Sequence, residues 1–246
     1  MAASPFWETP PASLQLGDGE VHVWRADLDI PPATIDRLQK TLSPAEQQKA
    51  SRFHFEKDRL RYVIAHGVLR CLAGRYCGQE PESFQFACNP WGKPALQNLS
   101  MPLQFNLSHS GEIVLHAFTV SREIGIDHET IRPDFATQEI AERFFSPMEA
   151  SRLRSLRSEV QARAFFTCWT RKEAYLKGRG KGLSIGLNRF EVSFASNEPA
   201  ALLLDQNDPG AIHRWTLHEV PLGSDYVGAV AVEGKDLQLS FWQWQG

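Results

Sequence analysis

Two helix-initiating signatures, 103 residues apart, restrict most strongly how this chain of 246 residues can fold. Ser43-Pro44-Ala45-Glu46 and Ser146-Pro147-Met148-Glu149 each combine a serine N-cap, a proline at the first helical position and a glutamate at the third. Each signature precedes a long amphipathic segment, and at the same offset Tyr62 corresponds to Phe165. This order and spacing predict two similar halves.

Each long helix is followed by glycine and then by segments with the alternation of strands. In the first half we predict a helix from about 58 to 76 and a hairpin of strands 103–107 and 113–118, with Ser108 to Gly111 in its loop. In the second half the predicted strands include 237–244.

We therefore expect an α+β fold, a pseudo-dimer of two similar halves, each a long helix packed on a small antiparallel sheet. The N-terminal half is predicted to span residues 1–121 and the C-terminal half residues 122–246, with residues 1–19 as a loose arm.

Composition favours a folded cytoplasmic protein. Apolar residues make up 42% and charged residues 22% of the chain. No apolar run is long enough to cross a bilayer, and the N-terminus lacks the basic start and apolar run of a signal peptide. The four cysteines show neither Cys-x-x-Cys nor zinc-ligand spacing, so we expect reduced thiols.

Charge is distributed unevenly although the net charge is only -3. Residues 40–75 hold eight Lys/Arg and three Asp/Glu, and residues 150–189 hold ten and two, whereas residues 190–246 hold two and eight. The two basic zones indicate an anionic ligand or an acidic partner, unless they are solvated helix faces. No nucleic-acid-binding motif accompanies them.

The segment 165–177 raises the question of which cation Glu173 meets. Phe165, Trp169 and Leu176 fall on one helical stripe, and Glu173 lies at its edge. A carboxylate among aromatic rings is costly unless a charge meets it. Lys177 at i+4 and a metal ion are the two candidates, and the helix alone favours Lys177.

Two further carboxylates strengthen the case for a metal ion, rather than Lys177, as the cation that meets Glu173. In the predicted strand 124–129, Asp127 and Glu129 share one face and His128 lies on the other. Oxygen ligands without cysteine favour Mg²⁺, or Mn²⁺, over zinc. A solvated strand end is the alternative for this pair alone.

Magnesium in such sites shares its coordination with phosphate oxygens and water, which predicts a phosphorylated substrate. Lys93, in a Gly92-Lys93-Pro94 turn, and Ser108-His109 are candidate phosphate contacts. The common nucleotide-binding glycine motifs are absent. A Ser108–His109–Asp127 hydrolase triad is disfavoured, because adjacent residues of an extended chain point to opposite sides and no Gly-x-Ser-x-Gly motif is present.

Six motifs then occur in a recognisable order: Trp91-Gly92-Lys93-Pro94, Phe105-Asn106-Leu107-Ser108-His109-Ser110, Gly125-Ile126-Asp127-His128-Glu129, Arg143-Phe144-Phe145-Ser146, Trp169-Thr170-Arg171-Lys172-Glu173-Ala174-Tyr175-Leu176-Lys177 and Gly180-Lys181-Gly182-Leu183. From about residue 42 to 187 the chain resembles a 4′-phosphopantetheinyl transferase of the surfactin-synthetase-activating type. It departs from the family at His128, where an aliphatic residue is usual, and at Glu46, where relatives often carry lysine.

The resemblance implies transfer of the phosphopantetheine arm of coenzyme A to a serine of an apo carrier protein, with release of 3′,5′-ADP. It implies that Asp127, Glu129 and Glu173 hold Mg²⁺, and that Glu173 takes the serine proton directly or through a bound water. Lys177 would steady the leaving phosphate. The implied coenzyme A contacts are Lys49, Arg52, Arg61, Gly92, Lys93, Pro94, Ser108, His109, Asp127 and Lys177, with His109, Lys49, Arg52 and Arg61 at the 3′-phosphate.

The implied partner is an acidic carrier domain facing the basic zone 150–189, and the implied state is a monomer that binds neither nucleic acid nor membrane. Two other functions remain open. One is a non-catalytic coenzyme A or nucleotide-binding module, and the other is a metal-dependent phosphohydrolase.

Overall fold

The computed structural model describes residues 6–196 and 198–246, without the side chain of Leu183. The first five residues of the predicted N-terminal arm lie outside the described residues. The helices are α1 (Pro32–Thr41), α2 (Pro44–Ser51), α3 (Glu56–Cys77), α4 (Gln138–Phe144), α5 (Pro147–Ser155), α6 (Ser158–Arg179) and α7 (Ala211–Arg214). The strands are β1 (Glu20–Asp27), β2 (Phe86–Cys88), β3 (Pro94–Leu96), β4 (Leu103–Ser110), β5 (Ile113–Val120), β6 (Ile124–Thr130), β7 (Phe190–Val192), β8 (Leu202–Asp205), β9 (Trp215–Glu219), β10 (Tyr226–Glu233) and β11 (Gln238–Gln243).

Both predicted capping boxes are formed. Ser43 Oγ accepts from the backbone N–H of Glu46 at 3.3 Å, and Ser146 Oγ accepts from that of Glu149 at 3.1 Å. Each box starts a short helix, α2 or α5, and each short helix is followed by a long one of 22 residues, α3 or α6. The repeat seen in the sequence is therefore a repeat of helical structure.

The long helices correspond at an offset of 102 rather than 103. They begin at Glu56 and Ser158, and each is followed by a glycine C-cap with left-handed backbone, Gly78 or Gly180. The link between the capping box and the long helix is one residue longer in the first half. The predicted equivalence of Tyr62 and Phe165 is therefore wrong by one position within these helices.

Each long helix belongs to a half with its own sheet, as the predicted α+β fold requires. The first sheet has the order β11-β1-β5-β4 and the second the order β6-β10-β9. Hairpin β4–β5 corresponds to hairpin β9–β10, and β1 and β6 each pair antiparallel with the later strand of the hairpin. Helix α6 packs on β6 and β10, which brings its charged edge to the boundary between the halves.

Two strand predictions need correction. Ser108, His109 and Ser110 lie within β4 rather than in the hairpin loop, because their backbone continues to pair with β5 as far as Ile113. The predicted strand 237–244 forms as β11, but it joins the sheet of the first half, parallel to β1. The division of the chain at residue 121 stays a prediction.

The N-terminal arm is anchored at Trp7. This side chain is buried, and its Nε1 donates to the Pro221 carbonyl oxygen at 2.7 Å. Glu8 bridges to Trp242 on the edge of β11. The prediction of a loose arm is therefore wrong for this part of the segment. Among the described residues, no helix is both long and apolar enough to cross a membrane.

Candidate active site

Glycine allows the second-half helix to approach its sheet closely. A Cβ atom on Gly125 of β6 would lie 2.1 Å from the Ala174 carbonyl oxygen and 2.2 Å from the Gly178 nitrogen. Both distances are shorter than a real carbon contact, so a larger residue would push α6 away from β6. The close approach brings Glu173 and Lys177 of α6 beside Asp127 of β6.

Asp127 collects contacts from both halves. Its Oδ1 accepts from Lys177 Nζ at 2.7 Å and from Ser108 Oγ at 3.0 Å. Its Oδ2 is buried and has no hydrogen-bond partner. Lys177 Nζ also donates to the Ile126 carbonyl oxygen at 3.1 Å. One carboxylate oxygen is thus neutralised by an ammonium group, and the other is left available.

Lys177 forms a different ion pair from the one with Glu173 that the i+4 rule favours. Its ammonium group pairs with Asp127 across the helix–strand contact rather than with Glu173 on its own helix. Of the two candidate cations for Glu173, Lys177 thus forms its ion pair elsewhere, although its charge still opposes the increase that burial causes in the pKa of Glu173, and the metal ion stays a prediction.

Glu173 lies where two cavities meet. A smaller cavity of about 400 Å³ is lined by Leu107, Ser108, His109, Asp127, Glu129, Trp169, Glu173 and Lys177. A larger one of about 730 Å³ shares Leu107, Glu173 and Lys177 with it. Burial raises the pKa of Glu173 to about 7, with a further increase from Asp127 and an opposing effect of Lys177. Burial also raises the pKa of Glu129, against the hydrogen bond from Ser110.

The three predicted metal ligands, Asp127, Glu129 and Glu173, thus line one cavity. Within the described part of the chain, no group of three or more His, Cys, Asp or Glu side chains stands close enough together to hold a metal ion as it is. The donor set nevertheless fits Mg²⁺, because this ion commonly uses one or two carboxylates and completes its shell with substrate oxygens. The buried, unpartnered Oδ2 of Asp127 is the atom most in need of a cation.

Side chains of β4 bind the edge of β6 that does not pair with β10. Asn106 Oδ1 accepts from the N–H of Ile126 at 3.0 Å. Two residues further along each strand, Ser108 Oγ accepts from the N–H of His128 at 3.3 Å, and after another two Ser110 Oγ accepts from the N–H of Thr130 at 3.2 Å. We call this set of three residues on β4 the seam ladder, because it joins the sheets of the two halves.

The predicted turn residues Gly92, Lys93 and Pro94 line the larger cavity together with Lys49. The turn is fixed by Asn89, whose Oδ1 accepts from the Lys93 N–H at 3.0 Å and whose Nδ2 donates to the Gly180 carbonyl oxygen at 2.6 Å. The remaining wall is largely apolar and aromatic, including Tyr62, Leu69, Phe86, Trp91 and Leu176. The cavity is thus a large apolar space with cations at its border.

Lys93 is already engaged in this structure. Its Nζ contacts Glu123 Oε2 at 2.5 Å and the Gly178 carbonyl oxygen at 2.9 Å. These contacts attach the turn of the first half to the end of α6, so Lys93 has a structural role beside the predicted phosphate contact.

His109 opens to the smaller cavity, and two predicted arginines lie outside both cavities. Burial lowers the pKa of His109, and the nearby Arg61 lowers it further. Arg61 donates to the Gly111 carbonyl oxygen at 3.0 Å. Arg52 is exposed at the end of α2. Neither arginine is among the residues that line the two cavities.

Sequence reasoning missed Asn89, Asn106 and Ser110. The signal for the last two was present, because Asn106, Ser108 and Ser110 alternate as residues on one face of a strand do. Placing Ser108 to Gly111 in a loop concealed that alternation.

Comparison with known proteins places the chain among relatives along its length. The family model described as "4′-phosphopantetheinyl transferase superfamily" matches residues 123–231, and that described as "4′-phosphopantetheinyl transferase, N-terminal" matches residues 31–121. The 4′-phosphopantetheinyl transferase HetI of Nostoc sp. is 40% identical over 240 residues, which cover 97% of this chain and 98% of that protein. The 4′-phosphopantetheinyl transferase Sfp of Bacillus subtilis is 33% identical over 175 residues, which cover 71% of this chain and 76% of that protein. The solved ACPS–coenzyme A complex of Chronobacterium ammoniagenes superposes with a TM-score of 0.36 at 19% identity, over 47% of this chain and 98% of that one.

Proposed function

The chain belongs to the 4′-phosphopantetheinyl transferase superfamily, and we infer that it transfers the 4′-phosphopantetheine arm of coenzyme A to a serine of an apo carrier protein. The serine oxygen forms a new bond to the phosphorus that carries pantetheine. The bond from that phosphorus to the bridging oxygen of the pyrophosphate breaks, and 3′,5′-ADP leaves.

The observation that carries this proposal is the shared wall between the two cavities. Asp127, Glu129 and Glu173 surround the smaller cavity, which adjoins a larger, mostly apolar one through Glu173 and Lys177. A pyrophosphate group at this junction would meet carboxylates, a cation and hydroxyl groups, with room on one side for the rest of a large cofactor. Phosphoryl transfer requires mainly alignment and charge neutralisation, so the reaction needs no covalent nucleophile from the enzyme.

We propose that Asp127, Glu129 and Glu173 hold Mg²⁺. The unpartnered Oδ2 of Asp127 and the all-oxygen donor set support this assignment. An ion held by these carboxylates would supply positive charge that offsets the negative charge of the pyrophosphate.

The residues of the chain provide the proton transfer and part of the charge stabilisation. Glu173 borders both cavities and takes the proton of the carrier serine as its oxygen attacks. Lys177 lies at the same junction and steadies the negative charge that develops on the departing phosphate. Ser108 is buried against Asp127, so we assign it a role in holding that carboxylate in addition to any phosphate contact.

Coenzyme A is proposed to occupy the larger cavity, with Gly92, Lys93, Pro94 and Lys49 along its wall. His109 and Lys49, together with the partly buried Arg61 and the exposed Arg52, remain the proposed contacts of the 3′-phosphate. Support comes from the proximity of the Arg61 charge to His109.

The proposed carrier surface rests on fewer cations than the sequence suggested. Of the basic zone 150–189, Arg171, Lys172 and Arg179 are used inside the protein, where Lys172 pairs with Glu149 and Arg179 with Asp205. Exposed cations remain at Arg157, Arg163, Lys181 and Arg189, and at Arg154, which pairs with Glu142. We propose that these attract an acidic carrier domain.

We further propose that the protein acts as a monomer in the cytoplasm. Its two similar halves build the site within one chain, as β4 and β6 meet at the seam ladder. Its four cysteines are free, as is usual in a reducing compartment.

The test is mass spectrometry of a purified apo carrier domain incubated with the protein, coenzyme A and Mg²⁺. We expect the carrier to gain the mass of one phosphopantetheine group, and we expect EDTA or Glu173→Gln to prevent the gain. An unmodified carrier would contradict the transfer, and release of 3′,5′-ADP without a carrier would favour a phosphohydrolase instead. Carrier modification that persists in EDTA would remove the metal from the proposal.

A further inference from the structure

The seam ladder does more than join two sheets, because its two serines each serve a backbone group and a carboxylate at once. Ser108 Oγ accepts from the N–H of His128 and donates to Asp127 Oδ1. Ser110 Oγ accepts from the N–H of Thr130 and donates to Glu129 Oε2 at 2.7 Å. The same arrangement is thus repeated two residues further along both strands.

The repetition follows from the geometry of a strand edge. One edge of β6 pairs with β10, and every second N–H points from the other edge toward β4. A hydroxyl group that accepts one of these N–H groups lies beside the residue before it, whose side chain points toward the cavity. Since a hydroxyl has one proton to donate, its hydrogen bond to the backbone directs that proton to the carboxylate.

The carboxylates of Asp127 and Glu129 differ in the other contacts that fix their positions. Asp127 is buried and is also bound by Lys177. Glu129 is only partly buried and carries a longer side chain with more rotamers. Its hydrogen bond in the structure comes from Ser110.

We propose that Ser110 is a positioning residue, which holds the Glu129 carboxylate in the orientation needed to bind the divalent cation. This inference rests on the proposed function, since it assigns Ser110 a role toward the same site. Partners that orient metal ligands typically change metal affinity about 10- to 100-fold when they are removed.

A pair of nearly isosteric variants isolates the hydroxyl group. Ser110→Thr keeps it and Ser110→Val replaces it with a methyl group, and both β-branched residues suit a strand. Thr119→Val is the matched control, because Thr119 on β5 also donates a hydroxyl hydrogen bond, to the Glu20 carbonyl oxygen at 3.1 Å, but lies outside the lining of both cavities.

Two measurements are made on each variant. The first is the rise in melting temperature on titration with Mg²⁺ in the presence of coenzyme A. The second is the Mg²⁺ concentration that gives half the maximal rate of carrier modification. We expect Ser110→Val to need about 10-fold more Mg²⁺ or higher in both, while Ser110→Thr and Thr119→Val stay within about 3-fold of the wild type.

Equal Mg²⁺ dependence of the Val and Thr variants would overturn the role of Ser110, and so would an equal loss in Thr119→Val. These results leave the transferase proposal intact as long as the wild type modifies the carrier with Mg²⁺. A wild type that neither modifies the carrier nor responds to Mg²⁺ would overturn both proposals.

Discussion

The two carboxylate oxygens of Asp127 have different surroundings. Lys177 and Ser108 bind its Oδ1, and Oδ2 remains buried and unpartnered. Besides burial, the negative charge of Asp127 raises the pKa values of Glu173 and Glu129, and the ammonium group of Lys177 beside it opposes that effect at both residues. The arrangement therefore leaves Oδ2 free for the divalent cation that we propose to bind there.

The neighbouring residue, His128, has a buried polar side chain without well-formed hydrogen bonds. Its side chain is fully buried on the opposite face of β6, and neither ring nitrogen makes a hydrogen bond of good geometry, although backbone groups of Ser110 and Ile113 lie near enough to offset part of the effect of burial on its pKa. Burial lowers the pKa of His128 to about 3, with a further effect of Lys177. The ring is consequently neutral at pH 7, and because its buried nitrogens lack well-formed hydrogen bonds, we expect it to destabilise the fold.

We expect His128→Val to stabilise the protein by about 1 kcal/mol at pH 7, because unpaired buried polar atoms are removed. The gain should grow toward pH 5. The unfolded histidine binds a proton below a pH of about 6.5, whereas the folded one does so only near pH 3, so the wild type loses stability as pH falls through this window.

Urea denaturation at pH 7 and pH 5 measures both effects, with the exposed His213→Ala as control. His66 and His116, whose pKa values burial lowers to about 4, remain in every variant and cancel from the difference. A variant less stable than the wild type at pH 7, or an unchanged pH dependence, would contradict this account.

At the scale of secondary-structure elements, a buried ion pair holds helix α6 against its neighbours. Lys172 Nζ lies 2.6 Å from Glu149 Oε2, and Glu149 Oε1 accepts from the N–H of Val192 at 2.8 Å. The glutamate therefore caps α5, binds α6 and meets β7. The first half repeats the device, with Arg70 of α3 at 2.7 Å from Glu46 of the other capping box.

Lys172→Ala is expected to cost about 3–5 kcal/mol, because it leaves the Glu149 carboxylate buried without its cation. Arg154→Ala, which breaks the exposed ion pair with Glu142, should cost about 1 kcal/mol or less. Chemical denaturation of the two variants gives the comparison. Similar losses in both would mean that the buried pair contributes little to holding α6.

The elements that could be predicted are those with local signals. The serine N-caps, the glutamates at the third helical position and the glycines after α3 and α6 identified the helices, because their hydrogen bonds lie within a few residues. The extent of β4 could not be predicted in the same way. Ser108 and His109 are loop-like in composition, and only pairing with β5 and contact with β6 make them part of a strand.

The candidate site shows the same division. The carboxylates Asp127, Glu129 and Glu173 could be selected from residue type and spacing, and they do line one cavity. The ion-pair partner of Lys177 could not be predicted in this way. The local i+4 rule pointed to Glu173, whereas the fold brings Asp127 closer to Lys177. The contact between Lys177 and Asp127 depends on where β6 passes α6, which no short segment specifies.

At the scale of the whole molecule, the last described strand ties the second half back to the first. The chain leaves β10 in the second sheet and forms β11 beside β1 in the first. Leu239 and Phe241 pack against the apolar cluster that contains Val21, and Trp242 packs against the cluster that contains Trp24. Strand β11 therefore covers the edge of the first sheet and contributes to the core on both of its faces.

Ending the chain after Glu233, which removes β11, should cost on the order of 3–5 kcal/mol or more, since five partly buried apolar side chains lose their packing: Leu237, Leu239, Phe241, Trp242 and Trp244. The exposed edge of β1 should also promote aggregation. Ending the chain after Trp244 is the control, because it removes only two exposed residues. Urea denaturation and light scattering compare the two truncations with the full chain. If both unfold at the same urea concentration, β11 is not what joins the halves, and the seam ladder with α6 must hold them together without it.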